Sequence, residues 1–293
     1  MRVLVTGGTG FVGKPACDAL RVAGHSVTVV SRDPGRVPAR AVGWDALGTV
    51  MSETDAIVNL AGEPIAGGRW TAARKAAIRS SRIEATRTLV DAAAAATPRP
   101  KVLVNASAIG YYGERGDEPV DETAAPGAGF LARVCVDWEA EAQRAQALGV
   151  RVVLLRIGIV LAPDGGALSA MLLPFRAALG GPLGGGRQWM SWVHRDDVVG
   201  LLREAVANEE YAGPVNATSP NPVTNRDFTR ALGRALHRPA VLPVPGIGLR
   251  LLMGEMATML LGGQRVLPRA AERLGYGWRQ PELPAALESC VGP

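Results

Sequence analysis

The chain has 293 residues, 47% hydrophobic and 20% charged, which supplies a large core and excludes a disordered chain. No apolar run is long enough to span a bilayer and the N-terminus reads as a strand, so a cytoplasmic protein without a membrane partner is expected. The net charge of +5 comes mostly from scattered arginines with no basic block, which argues against nucleic acid, and Cys17, Cys135 and Cys290 lack metal-site spacing, so no metal is expected.

In chain order, the apolar run Arg2–Val5 reads as a doubly covered parallel strand, broken by Thr6-Gly7-Gly8-Thr9-Gly10. Phe11, Val12, Ala16 and Leu20 then recur at helical spacing. Glycines at positions 7, 10 and 13 allow a tight turn, a close approach of phosphate to the backbone, and close packing of the helix on the sheet. The helix N-terminus points its free amides and positive dipole end at the same place. Strand, glycine turn and helix together imply a dinucleotide site, lined by Gly7, Thr9, Gly10, Phe11, Val12 and Gly13.

His25–Val30 reads as a second strand. Ser31 and Arg32 follow it, where an acid commonly meets the ribose 2′-hydroxyl. A hydroxyl and a guanidinium suit a 2′-phosphate instead, so NADP is expected in preference to NAD. A short strand at 42–45 and a helix-like stretch to Glu53 precede a strand over 55–62. Its small end, Leu60-Ala61-Gly62, fits backbone lying under the cofactor. A helix is predicted over 70–96, and a fifth strand over 101–107 brings Ala106 and Ser107 to the same sheet edge. The loop Ile109-Gly110-Tyr111-Tyr112-Gly113 follows, then a helix over 130–148 closed by Gly149, and a sixth strand over 151–156 that continues to Val160. This alternation predicts an α/β fold with a doubly wound parallel sheet, of Rossmann type.

Beyond Leu161 the texture changes to glycine pairs, an apolar helix around Met171–Phe175, an extended edge at 188–194 and helices over 196–207 and 223–236, the last with Asn225 as its candidate cap. The predicted organisation is a dinucleotide-binding domain over 1–160, with 193–218 returning to it. A smaller, mostly helical substrate lobe covers 161–293, with a helical segment from about 239. Gln188, Trp192 and His194 are candidate substrate contacts, with a structural role at the following helix start open for His194.

Thr6-Gly7-x-x-Gly10-x-x-Gly13, Asn59-Leu60-Ala61-Gly62, the strand ending at Ser107 and Val193-His194-Arg195-Asp196-Asp197-Val198 are together similar to the extended short-chain dehydrogenase/reductase superfamily. Gly110-Tyr111-Tyr112-Gly113, Phe130-Leu131-x-x-Val134-Cys135-x-x-Trp138-Glu139, Gly184-x-Gly186-x-Gln188 and Gly254-Glu255-Met256 resemble, more narrowly, an atypical epimerase-like branch once described as cell-division inhibitors. The resemblance implies an NADP-binding fold, a backbone at Arg156 passing near the nicotinamide amide, and a homodimer through the helices at 70–96 and 130–148.

The superfamily's Tyr-x-x-x-Lys pair is missing. Alignment on Glu139 puts Leu131 and Cys135 in those positions, and neither can move a proton as tyrosine and lysine do. Glu139 itself is expected to face solvent or pair with an arginine. Ser107, Tyr111 and Tyr112 are the remaining catalytic candidates, with Tyr112 also placed against substrate; Cys135 is either a low-pKa thiol or, as a cysteine on an apolar helix face more often is, inert filler. Two functions stay open. One is an NADP(H)-dependent oxidoreductase or epimerase-like enzyme acting on a small carbonyl or hydroxyl compound. The other is a non-catalytic NADP(H)-binding protein for redox sensing or interaction.

Overall fold

A computed structural model describes residues 1–66 and 68–292; Pro293, the end of the predicted substrate lobe, lies outside them. Strands β1 (Arg2–Thr6), β2 (Ser26–Val30), β3 (Ala41–Val42), β4 (Ala56–Asn59), β5 (Val102–Ala108), β6 (Arg151–Ile157) and β7 (Gly213–Ala217) form one sheet in the order β3-β2-β1-β4-β5-β6-β7. Every neighbouring pair is parallel. The strands are apolar on both faces because helices cover both. Val3 and Val5 pack with helices α1 (Gly13–Val22) and α5 (Arg195–Ala207), while Leu4 between them points into the opposite core. That second core is closed by α2 (Ala72–Ala95) and α3 (Phe130–Gln143), through Leu89, Val90 and Ala142.

The chain runs outward from β1 to β3 and then returns to place β4 on the other side of β1. Ligands bind such sheets at this reversal, beyond the carboxyl ends of the strands. Register brings Thr6 beside Asn59, Asn59 beside Asn105, and Ser107 beside Arg156.

The predicted strand at 151–160 is two elements. Gly158 breaks it, since a Cβ there would sit 2.5 Å from the Ser191 carbonyl oxygen, and Ile159–Leu161 pairs instead with Trp192–His194. The strand predicted at 42–45 shortens to two residues before a 3₁₀ turn at Trp44–Ala46. The helix α6 (Asn225–Ala235) is capped by Thr224, whose hydroxyl accepts from the Asp227 amide at 3.2 Å. Asn225 is not the cap, because its side-chain oxygen accepts from the Leu183 amide at 2.8 Å. A third core, containing Leu161, Phe175, Trp192, Phe228 and Leu287, joins α4 (Gly166–Arg176), α6 and α8 (Leu283–Val291).

Candidate functional site

The glycine turn after β1 is shaped by contacts that side chains would destroy. Gly7 has φ +66°, and a Cβ on it would lie 2.5 Å from the Leu60 carbonyl oxygen. A Cβ on Gly13 would lie 2.0 Å from the Gly7 carbonyl oxygen. Gly10 differs: its amide donates to Gly7 at 2.9 Å, and its missing Cβ would meet only that same carbonyl, at 3.1 Å. The backbone at Gly10 is thus bare on its outer side. No side chain caps α1 and no acid stands in its first turn, so its dipole end is uncompensated by the protein. The amides of Thr9, Phe11 and Val12 donate to no acceptor among the described residues.

Leu60, Ala61 and Gly62 leave β4 alongside this turn. The Leu60 amide donates to the Thr6 carbonyl at 3.2 Å, and the Ala61 amide to the Thr6 hydroxyl at 3.2 Å. Behind them runs a buried polar chain. The Thr6 hydroxyl donates to Asn59 Oδ1 at 2.6 Å, and Asn59 Nδ2 donates to Asn105 Oδ1 at 2.6 Å and to the Thr86 hydroxyl at 2.8 Å. Trp138 Nε1 also donates to that hydroxyl at 2.9 Å, so α2 and α3 are fixed to the carboxyl ends of β1, β4 and β5. Ala106 lies within β5, opposite Leu155. The Phe11 ring is covered from distant segments: a Cβ on Gly165 would come within 2.7 Å of it, and the Arg195 guanidinium, ion-paired to Asp164, stands 5.1 Å from its centroid. At the end of β2, Ser31 Oγ accepts from the Asp33 amide at 3.1 Å and Asp33 pairs with Arg36, while Arg32 stands exposed.

Next to this edge lies a second buried cluster, around Ser107. Its hydroxyl donates to Glu139 Oε1 at 2.6 Å. Arg156 closes a bidentate pair on the same carboxylate, Nε to Oε1 at 2.9 Å and Nη2 to Oε2 at 2.8 Å. Arg156 Nη1 donates to the Tyr112 hydroxyl at 3.0 Å, and that hydroxyl donates to Asn216 Oδ1 at 2.7 Å. The Tyr111 ring stacks on the guanidinium, 3.5 Å from centroid to carbon. Burial alone would lower the Arg156 pKa, but the Glu139 hydrogen bonds and charge outweigh it and hold the guanidinium above its ordinary value.

The same contacts show where each candidate from the sequence lies. The Arg156 side chain faces Glu139 and Tyr112 and is 3% exposed, while the nicotinamide contact implied for this residue is one of its backbone. Tyr112 is fully buried with its proton committed to Asn216, and burial pushes its phenol up to about 12 despite Arg156. It is neither an accessible proton donor nor a substrate contact. Cys135 donates to the Ala108 carbonyl at 3.7 Å, and burial pushes its thiol up to about 11, the opposite of a reactive thiolate. Trp192 is fully buried and donates its indole N–H to the Asn221 carbonyl at 3.0 Å, so it fills the lobe core rather than a substrate wall. His194 caps α5, its Nδ1 accepting from the Asp196 amide at 3.2 Å. Burial lowers its pKa below the ordinary range, against the pull of Asp196 and Asp197, which keeps Nδ1 free to accept. Gln188 spends its amide on the Leu183 and Leu260 carbonyls, at 3.1 and 2.9 Å, tying two loops together.

Sequence reasoning left Glu139 out of the site. One signal pointed to it: an arginine inside the apolar run Val152-Val153-Leu154-Leu155-Arg156-Ile157 must find a carboxylate when the strand is buried.

Residues 3–217 match the family model described as NAD dependent epimerase/dehydratase family, and residues 244–290 match a domain of unknown function, DUF1731. The epimerase family protein SDR39U1 of Bos taurus is 43% identical over 298 residues, covering 99% of this chain and 100% of that one. The chloroplastic SDR39U1 homolog of Arabidopsis thaliana is 42% identical over 303 residues, covering 99% and 87%. Among solved structures, the human epimerase family protein SDR39U1 (isoform2) with NADPH superposes with a TM-score of 0.94 at 38% identity, covering 99% of each chain.

Proposed function

The chain belongs to the NAD dependent epimerase/dehydratase family, and from that premise we propose that it is an NADP(H)-dependent oxidoreductase or epimerase-like enzyme. Its substrate is a small carbonyl or hydroxyl compound, and it works without a Tyr-x-x-x-Lys pair. The observation that carries this reading is the bare, uncapped glycine turn at Gly10, on the same sheet edge as the buried Ser107–Glu139–Arg156 cluster. The residues fit a dinucleotide diphosphate: Gly7, Gly10 and Gly13 keep the backbone open and the Thr9, Phe11 and Val12 amides would hold the phosphates. Leu60–Gly62 and Ala106 would support the rest of the molecule, and Ser31 with Arg32 the 2′-phosphate. NADPH bound to the human relative supports the same choice here. Bound there, the nicotinamide supplies hydride exchange with a substrate carbon.

The protein's own part is to hold the substrate oxygen and move its proton. The Ser107 hydroxyl gives its hydrogen to Glu139, which leaves its lone pairs free to accept from a substrate hydroxyl that reaches it. A substrate hydroxyl donating to Ser107 Oγ can pass its proton there while the serine's own proton moves to Glu139; the reverse sequence protonates an alkoxide. Arg156 orients the Glu139 carboxylate, and the Tyr111 ring holds Arg156. A reducing cytoplasm suits the three cysteines, all free and buried. A homodimer through the outer faces of α2 and α3 completes the reading.

Oxidation of NADPH on a panel of small carbonyl compounds tests it. Ser107→Ala should lose about 100-fold in kcat or more. Tyr111→Phe, which keeps its ring over Arg156, should retain most of the activity, and a comparable loss there would assign the proton to the Tyr111 phenol. Tight NADPH binding with no turnover of any compound would favour the non-catalytic sensor.

A further inference from the structure

Eight of the eleven large apolar side chains exposed among the described residues lie between positions 173 and 259. Leu173, Val241, Ile247, Leu251 and Leu252 are each between 73% and 78% exposed. The helix α7 (Gly246–Met253) that carries the last three has no buried residue at all. Two of these segments lie side by side: residues 180–184 run beside 242–244, with the Val244 amide donating to the Pro182 carbonyl at 2.9 Å and the Gly184 amide to the Val244 carbonyl at 2.8 Å. Arg238 reaches across to the Arg176 carbonyl at 3.4 Å.

The two segments that build this face carry charge of one sign. The whole chain carries 27 acidic residues, yet none falls within 165–195 or 228–254, the two segments that build the patch. Arg176, Arg230, Arg234, Arg238 and Arg250 all do. An open depression at its rim is lined by Arg230, Arg234, His237 and Arg238 with Val241. Of the flanking acids, Asp164 pairs with Arg195 and Glu255 with Lys75 at 2.7 Å, while Asp227 meets the rim's own Arg230 at 3.7 Å; Arg176, Arg234, Arg238 and Arg250 pair with no carboxylate among the described residues.

We propose that this face docks on an anionic lipid surface, with Leu173, Ile247, Leu251 and Leu252 seated at the headgroup–acyl boundary and the arginine rim on lipid phosphates. Apolar depth and negative charge side by side are what such a leaflet offers. A second copy of the chain fits poorly, because a two-fold contact would set these arginines against themselves with no carboxylate in either segment. The sequence expectation of no membrane partner rests on the want of a spanning segment; lying on a surface needs none, and no described helix is long and apolar enough to cross a bilayer.

Flotation of the full-length protein with vesicles tests this. It should float with phosphatidylcholine vesicles containing about 30% phosphatidylglycerol, roughly tenfold more than with phosphatidylcholine alone, and come off as salt is raised from about 50 to about 300 mM. The double substitution Leu251→Asp with Leu252→Asp, and separately Arg234→Glu with Arg238→Glu, should each cut the bound fraction about tenfold, while melting curves and NADPH binding stay as in the parent protein. Equal flotation with and without the anionic lipid, or binding untouched by both pairs of substitutions, would overturn the proposal. So would a lipid-free dimer that the leucine substitutions dissolve.

Discussion

Replacing Arg156 by methionine keeps most of the side-chain stem and removes the guanidinium from a dry site. The native pair makes two hydrogen bonds to Glu139 at 2.9 and 2.8 Å, and one to Tyr112 at 3.0 Å, with both charged side chains at most 5% exposed. Without its partner, Glu139 is left as an uncompensated buried carboxylate, a change that costs about 3–5 kcal/mol against a typical domain stability of about 5–15 kcal/mol. The carboxylate can escape that cost only by taking up a proton. Its folded pKa in Arg156→Met is then raised above the unfolded value, so the stability recovered by protonation is present at low pH and lost as pH rises through the folded pKa. Urea unfolding should therefore show a larger deficit, relative to the parent protein, at pH 8 than at pH 5. Adding Glu139→Gln to Arg156→Met should restore part of the loss, a positive coupling in the double-mutant cycle. A deficit under about 1 kcal/mol that is the same at both pH values would refute the buried-pair account.

At the glycine turn, Gly10→Ala should leave the melting curve nearly unchanged and weaken NADPH at least tenfold, about 1.4 kcal/mol, because its Cβ meets only one backbone atom. Gly13→Ala should fail in both assays, since its Cβ would sit 2.0 Å from a backbone oxygen; equal behaviour of the two would show that the turn is not a phosphate cradle. Arg32→Ala should weaken NADPH about tenfold with NADH unaffected, as expected for one lost phosphate contact; parallel losses for both cofactors would remove Arg32 from the 2′-phosphate. The lowered pKa of His194 means that the unfolded state binds more protons, so this group contributes stability above the ordinary histidine range that is lost as pH falls through its folded pKa. His194→Asn keeps a capping acceptor without a titration and should flatten the acid side of a Tm-against-pH curve between about pH 7 and 5, where an unchanged slope would contradict the capping role.

What could be read from the sequence was whatever a short stretch of backbone demands. The glycine turn was legible because its three positions each answer a local steric need, and the parallel sheet because buried strands alternate regularly with helices. Gly158 was opaque: within a run of valines, leucines and isoleucines it resembles a tolerated strand glycine, and only the approach of Ser191 from a distant segment makes it a break. Trp192 and His194 are ambiguous by type between a pocket and a packing or capping role, and the choice, burial against Asn221 and the start of α5, is made by packing across the fold. The Ser107–Glu139–Arg156–Tyr112–Asn216 cluster draws on five separate elements, so no spacing in the sequence announces it. Leu131 and Cys135 mark the missing pair, while for Glu139 the sequence leaves two environments open, solvent or an arginine partner, and the structure shows the second. A carboxylate on an apolar helix face is indistinguishable from a solvated one until its partner strand is placed.

Calorimetric titration of NADPH into protein stripped of nucleotide tests the central claim most directly. Micromolar binding, weakened at least tenfold by Gly10→Ala and stronger for NADPH than for NADH, is the predicted result. No heat and no thermal protection from either nucleotide at about millimolar concentration would contradict it.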